Sequence, residues 1–339
     1  MNLPPFRIEF GLICLVFLHI KITYAFYAFD GDNNNVKIRK HGLELTQTLN
    51  LQRQEILQKT CKTLGYDNHT LDDLTYEQME HMIVDPKHKF MYCYVPKVAC
   101  TNWKRVLMLL TDQWTNGTDP LQIPASLAHS PGVFLKMSNL TDDERQTVLS
   151  EYTRFVLVRH PFERLLSAYR NKLEGDSASA RYFQSRVGKT IVRNFRVDAT
   201  NKSLENGNDV TFDEFIKYLL NSTDSGNGDG TSKNHTSNNF SFNEHWEPIS
   251  SLCNPCIMKY NVIGKYETLL DDSALALHLT GDESLTFPTG HKSSGTRSQL
   301  KKYFDPIPVG AIRKLYEIYL DDFRLFDYGV DQVLGFEFG

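Results

Sequence analysis

With 339 residues, 41 % of them hydrophobic and 23 % charged, the chain has the make-up of a globular protein that buries a sizeable core in one large or two small domains. Collagen, coiled coil, a wholly disordered chain and a multi-span membrane protein are excluded. A formal net charge of −4 offers no overall basic surface for nucleic acid.

Residues 1–9 read as a short cytoplasmic tail. Phe10 to Ile20 is apolar apart from His19, and Phe10–Phe29 reaches the roughly 20 residues that span a bilayer only by carrying Lys21 inside. The apolar core behind Arg7 equally suits a signal peptide, with Thr23-Tyr24-Ala25 as a cleavage site. Signal-anchor or signal peptide over 10–29, either sends the rest of the chain into the secretory pathway. Seven Asn-x-Ser/Thr sequons, at Asn68, Asn116, Asn139, Asn201, Asn221, Asn234 and Asn239, agree with a lumenal chain. Polar residues 30–60 read as a stem, and 61–339 as a single catalytic domain.

From about residue 85 the pattern is strand, loop, helix, repeated, which predicts an α/β domain built on a parallel sheet flanked by helices. Asn221–Ser241 has almost no apolar residue to bury and reads as a disordered surface insertion. Cys253 and Cys256 form a lone CxxC. With no second CxxC and no His-x3–5-His, a disulfide is favoured over zinc, its pairing open. Near the C-terminus Val309, Ile312, Tyr316, Tyr319 and Phe323 share one helical face and read as core.

Two segments carry chemistry. Phe90–Val95 is aromatic and β-branched, a buried strand that Pro96 stops. Lys97-Val98-Ala99-Cys100-Thr101-Asn102 follows, and Trp103, Val106, Leu107 and Leu110 then recur at helical spacing. A helix N-terminus after a strand presents free N–H groups and the positive end of the dipole. Lys97 adds a charge and Thr101 a hydroxyl. No acidic residue lies between Pro86 and Thr111. The glycines of a Walker loop are missing, so a nucleoside-triphosphate kinase is not supported. The second segment is the strand Phe155–Val158, ended by Arg159, with Pro161 opening a helix whose apolar face is Phe162, Leu165, Leu166, Tyr169 and Leu173. An arginine at a strand end before a helix start, here Arg159, can hold a phosphate by a bidentate fork, and Arg164 and Ser167 lie three apart on a different face of the helix. Each motif alone is equally compatible with an ordinary strand–helix turn. Two anion loops at strand ends suit a nucleotide with phosphates at both ends.

These segments resemble Golgi carbohydrate sulfotransferases. YCYVPKVACTNWKRVLMLL is similar to their 5′-phosphosulfate loop and FVLVRHPFERLLSAYRNKL to their 3′-phosphate motif. HWEPISSLCNPC, YNVIGKYETL and YFDPIPVGAIRKLYEIYLDDFRLFDYG are similar to the rest of the catalytic domain, so that the resemblance covers about 60–339 without the insertion. It points to the group containing chondroitin and dermatan 4-O-sulfotransferases and the glucuronate 3-sulfotransferase of a terminal glycan. His160 departs from the acidic residue usual before Pro-Phe-Glu-Arg.

The resemblance implies a P-loop-like sulfotransferase fold and 3′-phosphoadenosine 5′-phosphosulfate as donor co-substrate. It implies transfer to a glycan hydroxyl, most readily O-4 of N-acetylgalactosamine in chondroitin or dermatan. The expected acceptor is a glycosaminoglycan or glycoprotein glycan, and the expected location a single-pass type II position in the Golgi membrane. Neither nucleic acid nor a metal is called for. Lys97 is expected to neutralise the leaving 5′-phosphate, Pro96 and the N–H groups of residues 98–102 to cradle it, and Arg159, Ser167 and Arg164 to hold the 3′-phosphate. For the base, His129 is expected first, His245 second and Glu244 third. A basic run, Arg181, Arg186, Lys189, Arg193 and Arg196, suits an anionic glycan, and His291–Arg297 a loop closing over the nucleotide. The competing readings are a glucuronate 3-O-sulfotransferase of a terminal glycan and a catalytically inactive glycan-binding member of the same fold.

Overall fold

The structure, a computed structural model, describes residues 32–224, 242–282, 284–289, 295–331 and 335. The expected anchor over 10–29, residues 225–241 of the expected insertion and 291–294 of the expected closing loop lie outside them. Among the described residues no helix is long and apolar enough to cross a membrane. The chain divides into two compact units, Met1–Thr46 and Gln47–Gly339, and all that follows concerns the second.

The main elements, in chain order, are α1 (Asp32–Thr63), β1 (Met82–Asp85), β2 (Phe90–Cys93), α2 (Cys100–Leu110), β3 (Thr153–Val158), α3 (Pro161–Tyr169), α4 (Phe212–Asp224), β4 (Val262–Lys265), α5 (Leu269–Thr280), α6 (Thr296–Phe304), α7 (Val309–Ile318) and α8 (Leu320–Leu325). The strands form one sheet in the order β1-β2-β3-β4. β2, β3 and β4 are parallel, as the strand–helix alternation predicts. β1 is not: it pairs antiparallel with β2, Met82 opposite Cys93, so the sheet is mixed rather than all parallel. A short hairpin needs no crossover helix, so β1 leaves no strand–helix signature in the sequence.

Parallel β2 and β3 lie side by side with Cys93 opposite Val156. Both chains therefore emerge at the same edge, and the loops after them are neighbours. Trp103 of α2 packs on Phe155 of β3, ring centroids 4.6 Å apart, and its indole N–H donates to Ser273 of α5. A Cβ on Gly264 of β4 would lie 2.5 Å from Leu157, so only glycine fits where β4 presses on β3.

A second apolar cluster surrounds α3, joining Phe162, Leu166 and Tyr169 to Phe215 of α4, Phe304 of α6, Leu315 of α7 and Phe323 of α8. The last two helices replace the single C-terminal helix of the sequence reading. Ile312, Tyr319 and Phe323 are buried as expected, whereas Val309, at the first position of α7, is exposed.

The edge strand β4 is covered by α1. Asn50 receives the Ile263 N–H and donates to the Asn261 carbonyl, standing in for a neighbouring strand. Arg53 donates to the Ile263 carbonyl and pairs at 2.8 Å with buried Asp272. Disulfides Cys61–Cys256 and Cys93–Cys253 add covalent ties. Both cysteines of the CxxC are thus oxidised, each to a distant partner rather than to the other.

Candidate active site

The segment from Tyr94 to Thr101 turns sharply from β2 into α2. Lys97 has φ 71° and Ala99 φ 55°, both in the left-handed region. Neither is glycine, so the bend that a Walker loop makes with glycines is held here at a cost of about 1–2 kcal/mol for each such residue. These two residues, with Val98 between them, bring the chain round into a concave turn that suits an anion. Of the N–H groups expected to cradle it, that of Val98 is spent on the Val95 carbonyl and that of Asn102 on the Ala99 carbonyl. Val98 and Asn102 bury their side chains, and Asn102 accepts from Arg105, so these two shape the turn rather than offer it a donor. Cys100 is a buried free thiol.

The loop is fastened by the second motif. Arg164 is fully buried and spends its guanidinium on three carbonyls: Nε donates to Pro96 at 3.0 Å, Nη2 to Glu244 at 2.8 Å, and Nη1 to Glu247. It was expected at a phosphate; in the structure it is a clamp on the loop. Arg159, also buried, donates from Nη1 to the Lys97 carbonyl at 3.3 Å. Its guanidinium stacks 4.1 Å above the Tyr266 ring at the end of β4, and it pairs with Glu163 at 3.4 Å. Three neighbouring strand ends thus meet around Arg159. Ser167 lies buried in the second turn of α3.

His160 has a defined task. Its Nδ1 accepts the Phe162 N–H, capping α3, and its Nε2 donates to the Gly329 carbonyl. An acidic residue would cap the same N–H, which is how the imidazole replaces it. Burial pushes its pKa down to about 4, so it stays neutral.

Cations converge on the loop. Burial lowers the Lys97 ammonium to about 8, and Lys172, Arg159 and Arg164 push in the same direction. Lys172 sits on a π-helical turn, Arg170–Glu174, that continues α3. Lys104 of α2 is likewise lowered by burial. A desolvated group of like charges is costly unless an anion joins it. Arg105 and Lys104 flank His129, whose Nε2 lies 2.9 Å from the Thr101 hydroxyl and whose Nδ1 lies 3.4 Å from the Lys104 ammonium. Since an ammonium only donates, Nδ1 is the acceptor and Nε2 carries the proton toward Thr101. Burial and then Lys104 hold His129 at about 4.

His245 is arranged differently. Its Nδ1 lies 2.6 Å from the Asn243 side-chain oxygen, which fixes the proton on Nδ1 and leaves the Nε2 lone pair free of a partner among the described residues. Burial first, then Lys172, Lys97, Arg164 and His129, depress it to about 2. The charges that add to burial are Lys97 and the cations around its loop, so His129, His245 and Lys97 share one cleft. Glu244 sits in the same cleft, 3.8 Å from His81 and 3.9 Å from His245.

The basic run is less uniform than its sequence. Arg196 is consumed by Glu214 at 2.6 Å and Asp209 at 2.7 Å and is part of the fold. Arg186 stacks at 4.0 Å on exposed Tyr182. Of the expected closing loop, Thr296 is buried at the start of α6, and Arg297 approaches Glu163 at 3.7 Å, beside Arg159. Lys172 and the role of Arg164 were missed by sequence reading.

A family model described as the sulfotransferase family matches residues 80–329. The chain belongs to that family. This sulfotransferase is 38 % identical over 296 residues to carbohydrate sulfotransferase 11 of Rattus norvegicus, covering 86 % of this chain and 80 % of the relative. It is 35 % identical to carbohydrate sulfotransferase 14 of Danio rerio, with 81 % and 71 % covered, and 33 % identical to carbohydrate sulfotransferase 12 of Mus musculus, with 82 % and 68 % covered. No solved structure matches it. The sequence reading of a sulfotransferase, and so of an enzyme, stands. The family implies 3′-phosphoadenosine 5′-phosphosulfate as donor, and the cationic loop with its left-handed residues fits an anionic 5′ group.

Proposed function

We propose that this sulfotransferase transfers the sulfuryl group of 3′-phosphoadenosine 5′-phosphosulfate to O-4 of N-acetylgalactosamine in chondroitin or dermatan, in the Golgi lumen, anchored through residues 10–29. The observation that carries the transfer is the Pro96–Thr101 loop. Left-handed Lys97 and Ala99, clamped by Arg159 and Arg164, put a half-buried ammonium at a helix N-terminus. Two disulfides support an oxidising compartment. The acceptor reading is supported by the named relatives.

In the transfer, the acceptor oxygen attacks sulfur in line, the bond from sulfur to the 5′-phosphate oxygen breaks, and the acceptor proton leaves to a base. Lys97 and the N–H groups of Cys100 and Thr101, at the start of α2, stabilise the charge growing on the departing phosphate. Arg159 and Ser167 hold the 3′-phosphate. His245 takes the proton through Nε2, with Asn243 as the orienting group, ahead of His129, whose two nitrogens are engaged by Lys104 and Thr101. Burial is the first cause of the depression of His245, Lys172 and Lys97 add to it, and bound donor offsets the part that these two supply.

The test is transfer of labelled sulfate from the donor to desulfated chondroitin, with disaccharide analysis of the product. Label on O-4 of N-acetylgalactosamine is expected; label on glucuronate alone, or none with an intact donor site, would reject the acceptor.

A further inference from the structure

Beside the donor loop lies a cationic group that the transfer chemistry leaves unused. Tyr94 follows β2, and two ammonium groups rest on its ring. Lys104 Nζ is 3.6 Å and Lys136 Nζ 4.9 Å from the ring centroid. His81 packs against the same tyrosine at 4.6 Å. Lys104 comes from α2, Lys136 from the segment that bridges to Ile83 of β1. Lys136 donates one hydrogen to the Glu80 carbonyl and keeps two. One oxygen of the Glu80 carboxylate accepts from the Ser138 hydroxyl, and the charge of that carboxylate still reaches Lys136. Glu244 is the other carboxylate whose charge these lysines feel. Among the described residues neither ammonium is within ion-pair distance of a carboxylate.

A buried ammonium, that of Lys104, and a half-buried one, that of Lys136, gain cation–π attraction on one ring but repel each other and lose hydration. An anion placed between them reverses that balance. The place is set by His129, which spans from Thr101, in the first turn of α2, to Lys104. The pair therefore lies one imidazole ring and two polar contacts away from the start of α2.

We propose that Lys104 and Lys136, held on Tyr94, form a subsite for the carboxylate of a hexuronate adjoining the sugar that receives the sulfate. The subsite rests on the acceptor reading above and narrows it: the enzyme requires an acidic, alternating polymer rather than a neutral glycan ending in the same amino sugar. Burial lowers both ammonium groups, Lys136 to about 8, so both are poised to gain by meeting an anion.

Full-length enzyme is assayed on unsulfated chondroitin and on the same polymer with its uronate carboxyls reduced to alcohols. The wild type should lose about 10- to 100-fold in kcat/KM on the reduced polymer, the scale of a charge-assisted hydrogen bond. Lys136→Gln should raise KM for chondroitin by a similar factor with kcat little changed, and leave the reduced polymer unaffected. Lys136→Arg should restore most of the loss. Equal wild-type rates on both polymers overturn the subsite, a result that needs no variant to fold. So does recovery of the reduced polymer by a 6-O-sulfate, which would make the ligand a sulfate ester. No transfer to either polymer, with donor binding intact, would instead reject the acceptor reading itself.

Discussion

The Arg164 Nε donates to the Pro96 carbonyl at 3.0 Å, so that a residue of the second motif holds the loop of the first. With Arg159 on the Lys97 carbonyl, two arginines following β3 fix the bend following β2. The donor loop is therefore built by a helix it does not belong to, and its left-handed residues are maintained from outside.

Arg164→Ala should accordingly behave as a folding mutant before it behaves as a binding mutant. It would leave the carbonyls of Pro96, Glu244 and Glu247 short of their donor. Each buried acceptor left unmet costs about 1–3 kcal/mol, against a total domain stability of about 5–15 kcal/mol. Secreted yield and the urea midpoint should both collapse. Arg164→Lys should recover only part, because one ammonium cannot reach three carbonyls in a fork. A variant that is stable but blind to the 3′-phosphate would show that Arg164 is a ligand after all.

Lys97→Ala should show the opposite pattern. Its ammonium is held half-buried among Lys172, Arg159 and Arg164, so removing it relieves repulsion in the free protein. Turnover should vanish while the thermal midpoint without ligand is unchanged or higher. The rise in midpoint on adding adenosine 3′,5′-bisphosphate should shrink. Retained turnover would remove Lys97 from the chemistry.

Lys97 and Arg159 were legible in the sequence because each follows an apolar strand and precedes a helix, a local pattern. The clamp was not, since the carbonyls Arg164 reaches are 68, 80 and 83 residues away and a carbonyl has no residue type. The cysteine pairing was hidden for the same reason, with partners 195 and 160 residues apart. Arg196 misled in the other direction: in sequence it extends a basic run, but Glu214 and Asp209 fold back onto it. Lys172 sits on a π-helical turn, where the 3.6-residue period used to assign faces does not hold.

His160 should make stability fall with acid. Its pKa is about 4 in the fold and about 6.5 unfolded, so the native state favours the neutral ring. That contribution is fully present above pH 6.5 and is lost as the pH falls toward 4, where protonated Nδ1 can no longer accept from Phe162. His129 and His245, depressed in the same direction, add to the slope. His160→Ala should cost about 0.5–2 kcal/mol at pH 7.5 as a lost cap. His160→Asn, which can both accept from Phe162 and donate to Gly329, should keep most of that and flatten the acid slope in urea titrations at pH 7.5, 6 and 5. An unchanged slope would mean that His160 does not titrate with unfolding.

The identity of the base separates the two histidines of the cleft. His245 has its Nδ1 proton fixed by Asn243 and a free Nε2, the arrangement of an oriented base. His129 has Lys104 on one nitrogen and Thr101 on the other, the arrangement of a strut beneath the donor loop. His245→Ala should then lower kcat by about 10²–10⁴-fold with donor affinity nearly intact. Asn243→Ala should lower it less, since it frees the tautomer without removing the base. His129→Ala should act mainly on donor affinity, through Thr101. The acid limb of the kcat profile should lie above that of the donor-free enzyme, because bound donor offsets Lys97 and Lys172, and should vanish in the His245 variant. Loss of kcat confined to His129→Ala, with normal turnover in His245→Ala, would assign the proton to His129. Loss in neither would leave Glu244, between His81 and His245, as the group to take it.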